Sequence, residues 1–208
     1  MLKSRPNRLI YPLCCASILA ILASCGPPRV KLPPLKPAQA ARQAMTTYDA
    51  DGNGSLSPDE LEKCPGLRAS LPTMDTDADG NLSAGEISER LKSQRATGLA
   101  LTSVSCMVYL RGRPLEGATV RFVPEDFLGD GIQTAAGETG RGGSAALAIP
   151  GEELPGIHCG LYRVEISKLD QAGAETIPAR YNTDTTLGQE VSQRVPPEGV
   201  AMFELSTK

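Results

Sequence analysis

Two short acidic segments constrain most strongly what this 208-residue chain can fold into. The first reads YDADGNGSLSPDEL over Tyr48–Leu61, and the second reads MDTDADGNLSAGEI over Met74–Ile87. They align without a gap, and both place acidic or amide side chains at alternate positions before a glycine. Carboxylates this close together repel one another unless a positive charge lies between them. The repeat therefore predicts two cation-binding loops.

Both segments match the pattern D-x-[DN]-x-[DN]-G-x5-E. On these residues the chain resembles the EF-hand family, whose loops bind Ca²⁺ through about six to eight oxygen ligands. Gly54 and Gly80 occupy the position where the loop turns sharply with a positive φ. The resemblance implies a ligand set in each loop: Asp49, Asp51, Asn53, Ser55, Ser57 and Glu60 in the first, and Asp75, Asp77, Asp79, Asn81, Ser83 and Glu86 in the second.

The residues that flank the ligands agree with the resemblance. Leu56 and Leu82 lie where paired EF-hand loops form a short β bridge, so we expect them to face each other. Ser57 and Ser83 each begin an S-x-x-E capping box, which predicts that a helix starts at the end of each loop.

The two loops are closer together than in calmodulin-like pairs. Pro65 and Gly66 are expected to end the first exiting helix early, and Pro72 to distort the helix that enters the second loop. Such compact spacing resembles bacterial extracytoplasmic EF-hands and, more remotely, dockerins. Short helices without Met-rich faces argue against a sensor that opens a groove, so we expect calcium to be structural.

The N-terminus has the features of a secretory signal peptide. Basic residues precede an apolar run over Leu9–Leu22, which ends in LASC at Cys25. This ending resembles a bacterial lipobox, which implies cleavage after Ser24 and a lipid on Cys25. Residues 1–24 are therefore predicted to be a lipoprotein signal peptide, and residues 25–39 a lipidated, proline-rich tether. We expect a lipid-anchored protein of the cell envelope, with an outer membrane favoured over an inner one by Gly26.

After the paired EF-hands, predicted over residues 40–96, the hydrophobic pattern changes to a period of two. From about residue 99 to 208, alternating runs separated by Gly- and Pro-rich turns predict an antiparallel β-sandwich. The residues expected on its inner face are Val104, Cys106, Val108, Leu110, Ala118, Val120, Phe122, Ala145, Leu147, Ile149, Tyr162, Val164, Ile166, Ala201, Phe203 and Leu205.

Two sequence segments of this half resemble the carboxypeptidase regulatory-like, transthyretin-type sandwich. They are VYLRGRPLEGATVRFVPED over Val108–Asp126 and GLYRVEISK over Gly160–Lys168. The resemblance implies an accessory β domain rather than a peptidase, because no H-E-x-x-H or H-x-x-E zinc motif is present in the sequence.

Three cysteines follow Cys25. An oxidising envelope permits one disulfide among Cys64, Cys106 and Cys159, and their spacing does not fix the pairing. Cys106 and Cys159 both border predicted strands of the sandwich, so we favour that pair. Cys64 would then be a leftover thiol or a buried apolar residue.

Other functional classes find little support in the sequence. His158 is the only histidine, and its neighbour Cys159 would point to the opposite face of a strand, so we interpret His158 as a loop or strand-edge residue. No P-loop, G-x-S-x-G or dinucleotide motif is present, which argues against an enzyme. The net charge of −3 without a basic patch argues against nucleic-acid binding.

Together these features predict an α+β multidomain protein, a small α-helical EF-hand pair followed by an all-β antiparallel sandwich of Ig or transthyretin type. Its expected function is Ca²⁺ binding in a non-enzymatic, lipid-anchored envelope protein. The alternative is a calcium-dependent docking or adhesion module that binds an envelope protein or a saccharide, in the manner of a dockerin or through the sandwich.

Overall fold

The computed structural model describes residues 30–193 and 200–207. The predicted signal peptide and the predicted lipidation site, Cys25, lie outside the described residues. Within the described part, no helix combines the length and the apolarity that a membrane crossing requires.

The first half of the described chain is helical. Its four helices are α1 (Pro37–Tyr48), α2 (Pro58–Leu61), α3 (Pro65–Met74) and α4 (Ala84–Ala96). Proline opens three of them, at a position where its missing N–H leaves no hydrogen bond unmade. As expected, α2 ends before Pro65. Pro72 lies inside α3, which nevertheless continues to Met74.

Helix α1 begins inside the segment that the sequence predicts to be a tether. Residues 37–39 are helical rather than extended, and Leu35 before them is already buried. Ala40, Ala41 and Ala44 form a small buried face on this helix, which packs against α4. The apolar face therefore draws the end of the proline-rich segment into the fold.

The predicted bridge between the two acidic segments is confirmed. Strands β1 (Ser55–Leu56) and β2 (Leu82–Ser83) pair antiparallel, with Leu56 opposite Leu82. Both leucines are fully buried. This short ladder holds the two acidic loops side by side.

The described residues of the second half form two four-stranded sheets. Their strands are β3 (Ser105–Leu110), β4 (Arg113–Pro114), β5 (Thr119–Pro124), β6 (Ala135–Glu138), β7 (Ser144–Ala146), β8 (Gly160–Ser167), β9 (Gly188–Val191) and β10 (Val200–Leu205). One sheet has the order β10-β3-β4, with β7 also paired to β3, and the other has the order β6-β5-β8-β9. The arrangement is that of an α+β protein with a β-sandwich-like second half.

One strand pair departs from the antiparallel prediction. β10 runs parallel to β3, with Val200 opposite Ser105 and Leu205 opposite Leu110, whereas the other strand pairs of the described residues are antiparallel. Alternation of apolar residues fixes which side chains face the core but carries no information about the direction of the neighbouring strand.

The predicted inner faces of the strands are confirmed almost throughout. Every residue of the predicted set is buried except Leu110, which is half-buried. Phe122 of β5 and Phe203 of β10 meet edge to face at 6.1 Å between ring centroids. These two strands belong to different sheets, so their contact shows that the sheets enclose a common core.

The predicted Cys106–Cys159 disulfide is wrong, whereas the buried, unpaired state predicted for Cys64 is found. Cys64, Cys106 and Cys159 are all free and buried, so no disulfide joins Cys106 to Cys159. Cys106 lies on β3, whereas Cys159 immediately precedes β8 of the other sheet. Facing sheets lie about 10 Å apart, and a disulfide needs Cα atoms within roughly 4.4–6.8 Å. Burial also raises the pKa of the Cys106 thiol to about 11.

Helix α3 packs on the sandwich through strands β8 and β9. Gly188 of β9 lies so close to the start of the helix that a Cβ there would be 1.7 Å from the carbonyl oxygen of Pro65. One continuous cluster of buried side chains runs through the helices and both sheets. The helical half and the sandwich therefore share a core.

This close approach gives a test of the packing. Gly188→Ala should lower the free energy of unfolding by about 2–3 kcal/mol, because backbone atoms on both sides must move apart. Gly142→Ala, where a Cβ meets no heavy atom within 4 Å, is the matched control and should change it by less than about 0.5 kcal/mol. Urea unfolding followed by circular dichroism measures both. Equal effects of the two variants would contradict the packing.

Candidate metal centre

Each acidic loop begins at the residue that directly follows a helix. Loop 1 is defined here as residues 49–60 and follows α1, and loop 2, residues 75–86, follows α3. The N–H groups of Asp49 and Asp75 still donate to helical carbonyls, those of Met45 and Leu71, at 3.0 Å in both cases. The helices thus fix the direction in which the first acidic side chain of each loop leaves the backbone.

The first carboxylate of each loop gathers backbone N–H groups around the turn. Asp49 accepts from the N–H groups of Asn53 at 3.1 Å and Gly54 at 3.0 Å, and Asp75 accepts from Gly80 at 2.9 Å. Gly54 and Gly80 have φ values of 90° and 84°, as predicted for the turning position. Only glycine adopts this conformation without strain.

The last carboxylate closes each loop onto its beginning. Glu60 accepts from the N–H of Ala50 at 2.6 Å and from that of Ser57 at 2.9 Å. Glu86 accepts in the same way from Thr76 at 2.8 Å and Ser83 at 2.9 Å. Both predicted capping boxes are formed. Each glutamate therefore joins residue 2 of its loop to residue 9.

These hydrogen bonds keep both glutamates ionised. The N–H groups of Ser57 and Ala50 lower the pKa of Glu60. Burial alone would raise the pKa of Glu86, but hydrogen bonds from Ser83 and Thr76 outweigh it and lower that pKa to about 2. Each loop consequently carries a fixed negative charge at its closing position.

The structure brings three carboxylates together in each loop. Oxygen atoms of Asp49, Asp51 and Glu60 lie within 4.8 Å of one another, and so do those of Asp75, Asp77 and Glu86. A cluster of like charges at this separation is unfavourable by itself. Carboxylate oxygens in this arrangement suit a hard divalent cation, such as calcium or magnesium.

One oxygen of loop 2 has no hydrogen-bond partner among residues 30–193 and 200–207. Oδ1 of Asp75 is buried and accepts no hydrogen bond, although the other oxygen of the same carboxylate binds Gly80. A buried charged oxygen without a partner costs free energy. The residues present therefore fit a cation at this point.

The other predicted ligands lie in the loops but are engaged in local hydrogen bonds. Asn53 and Asp79 accept through their side chains from the N–H groups two residues later, at 2.9 and 2.7 Å. The hydroxyls of Ser57 and Ser83 donate to the closing glutamates at 2.9 Å. Ser55 lies in the β1–β2 ladder, and the Asn81 side chain donates to the Asp79 carbonyl at 3.3 Å.

Residue 2 of each loop was not identified from the sequence. Ala50 supplies a backbone N–H to Glu60, and Thr76 supplies both its N–H and its hydroxyl to Glu86. The loop pattern leaves this position free because the backbone makes the essential contact. Nothing in the sequence marks Thr76 as a partner of the closing glutamate.

His158 and Cys159 are both buried. Nδ1 of His158 lies 2.7 Å from the carbonyl oxygen of Ala100. Burial raises the pKa of the Cys159 thiol, which disfavours the reactive thiolate. His158 thus lies in a buried loop segment just before β8, the first of the two predicted positions.

No protein-family model matches this chain, and no curated protein matches it. What the two loops can do therefore follows from their own residues and geometry.

The fourth position of the loops gives a matched pair of substitutions. Gly52 and Ala78 both have positive φ, 70° and 59°. Ala78→Gly should raise the free energy of unfolding by about 0.5–1 kcal/mol, and Gly52→Ala should lower it by about 1 kcal/mol, because alanine is strained in this region. Urea unfolding with a chelator present measures both. Changes of the same sign would contradict the loop conformation.

Proposed function

We propose that this chain binds Ca²⁺ through two EF-hand loops, residues 49–60 and 75–86. The observation that carries the proposal is the convergence of three carboxylates in each loop, together with the buried Oδ1 of Asp75, which no described residue hydrogen-bonds. A bound ion supplies the positive charge that both features lack.

The chemistry of the ligands favours calcium over other metals. Neither loop contains histidine or cysteine, the ligands that zinc and copper prefer. Magnesium demands a strict octahedral shell and keeps several waters, whereas calcium accepts a flexible cage of carboxylates and carbonyls. The alternating side chains and the closing glutamate of each loop fit the larger ion.

Calcium in this protein has a structural role in the proposal. Helix α2 has only four residues, and α3 packs on the sandwich, so neither is free to swing outward. An ion that neutralises the carboxylates stabilises the folded loops relative to the unfolded chain.

The proposal places this protein in the cell envelope, anchored by a lipid on Cys25. The support is the sequence alone, a basic start, an apolar run and LASC before a proline-rich stretch. We propose a non-enzymatic role, with the sandwich as an accessory domain of carboxypeptidase regulatory-like type. Its partners in the envelope would be a protein or a saccharide.

Two charge-neutralising substitutions test the calcium sites separately. Glu60→Gln and Glu86→Gln keep the capping boxes, because glutamine fills that position equally well, but remove one ligand charge. Isothermal titration of the full chain should show two calcium sites, with dissociation constants of about 10⁻⁴–10⁻³ M or tighter. Each variant should weaken one site by at least about tenfold.

Exposed glutamates near the loops supply the controls. Glu62→Gln and Glu89→Gln lie two and three residues after the closing glutamates and should leave both sites unchanged. A wild-type chain that gives no heat with millimolar calcium would overturn the proposed function. Equal losses in Glu60→Gln and Glu62→Gln would show a general charge effect instead of ligation.

A further inference from the structure

A buried glutamate of the sandwich holds both helices that flank loop 2. The side chain of Glu190 in β9 is only 9% exposed. It accepts from the hydroxyl of Thr73 at 2.9 Å and from Nε of Arg90 at 2.7 Å, and Nε2 of Gln94 also donates to it. Thr73 lies in α3, two residues before the first ligand of loop 2, whereas Arg90 and Gln94 lie in α4 beyond the last ligand.

A second buried glutamate has the same relation to loop 1. Glu125 is only 2% exposed and accepts from the N–H of Gly66 at 2.6 Å. From the other side of the loop, the Tyr48 ring packs edge to face on Phe127, two residues after Glu125, with 6.5 Å between the ring centroids. Burial and the nearby charge of Glu125 raise the pKa of the Cys64 thiol. Tyr48 directly precedes the first ligand of loop 1, and Cys64 and Gly66 follow its last ligand.

Both contacts depend on the helices being docked. Burial raises the pKa of Glu125, and the N–H of Gly66 and the guanidinium of Arg163 act against that rise. A carboxylate in such a place is costly unless donors converge on it. The donors to Glu190 come from the two sides of loop 2. At loop 1, the Gly66 N–H binds Glu125 from one side, and Tyr48 packs beside that glutamate from the other. Docking at either glutamate therefore fixes the separation of the two sides of its loop.

That separation governs cation binding. In each loop the first and last ligands sit on opposite flanks, and calcium needs both at once. A scaffold that holds the flanks at the correct separation before the ion arrives reduces the ordering cost of binding. The sandwich supplies such a scaffold through one glutamate for each loop.

We propose that Glu125 and Glu190 are positioning residues for calcium, Glu125 for loop 1 and Glu190 for loop 2. The inference rests on the proposed calcium function. In this proposal, the sandwich sets the calcium affinity of both loops through these two glutamates. Because coupling between binding and packing is reciprocal, calcium also strengthens the docking of the helices on the sandwich.

The test measures each loop by itself in the full chain. In a Glu60→Gln background loop 2 keeps its full ligand set, and in a Glu86→Gln background loop 1 keeps its own. Isothermal titration with calcium gives the affinity of the remaining loop, and circular dichroism with chelator verifies that each variant is folded.

The variants remove single contacts rather than whole side chains. Thr73→Val and Glu190→Gln weaken the contact at loop 2. Tyr48→Phe and Cys64→Ala remove the hydroxyl and the thiol that lie near Glu125 at loop 1. Cys64→Ser keeps a group there that both accepts and donates hydrogen bonds. Glu138→Gln, an exposed strand residue of the same sheet, is the control and should change neither loop.

The expected result is specific to the loop. Thr73→Val and Glu190→Gln should weaken loop 2 by about two- to tenfold and leave loop 1 within about twofold, as one lost hydrogen bond allows. Tyr48→Phe and Cys64→Ala should weaken calcium binding by loop 1 and leave loop 2 within about twofold. Cys64→Ser should bind calcium with the affinity of the parent chain. A general loss of stability would weaken calcium binding by both loops in every variant, instead of by one loop only.

Two outcomes separate failure of this inference from failure of the proposed function. If neither single-loop background binds calcium and the unmodified chain does not either, the proposed function is wrong. If the unmodified chain binds and the folded variants Thr73→Val and Tyr48→Phe leave both loops unchanged, or weaken both equally, the positioning roles are wrong.

Discussion

Repulsion among the clustered carboxylates of the two loops is the constraint on which the rest of the structure depends. Three carboxylates converge in each loop, and local N–H donors satisfy most of their oxygens. These donors lower the pKa of Glu60 and Glu86 and so keep the charge in place instead of removing it. Oδ1 of Asp75 is buried and receives no hydrogen bond from the described part of the chain. A calcium ion in each loop, as proposed, would turn the most unfavourable part of the chain into a stabilising one.

The short helices that flank the loops are not stable enough by themselves to hold the clustered carboxylates in place. α2 is a single turn, and isolated helices as short as α3 are marginal in water. Their stability comes from packing, through the Leu56–Leu82 ladder and through contact of α3 with β8 and β9. Gly66 and Gly188 permit that contact, because a Cβ at either position would overlap with the opposite element. The sandwich is thus part of the environment of the loops, and Glu125 and Glu190 are where the two halves meet through polar groups.

Sequence patterns predicted the local features and missed the long-range ones. The loop turns, the Leu56–Leu82 bridge, both capping boxes and nearly all inner faces of the strands follow from residue spacing, because each depends on neighbours in the chain. The parallel pairing of β10, the free state of Cys106 and Cys159 and the burial of Glu125 and Glu190 depend on which elements meet in space. A charged residue in a strand is predicted to face solvent, and the sequence does not show that a helix covers Glu190. The helical start at Pro37 was missed because a proline-rich stretch and a helix N-terminus share the same residue.

The central claim is that calcium binding and the packing of the helices on the sandwich form one coupled unit. Amide hydrogen exchange of the full chain, with calcium and with chelator, tests this most directly, because it reports local opening along the backbone. Calcium should slow exchange in both loops, in α3 and also in strands β8 and β9, which contain no ligand. Slower exchange confined to residues 49–60 and 75–86, with no change in β8 and β9, would contradict it.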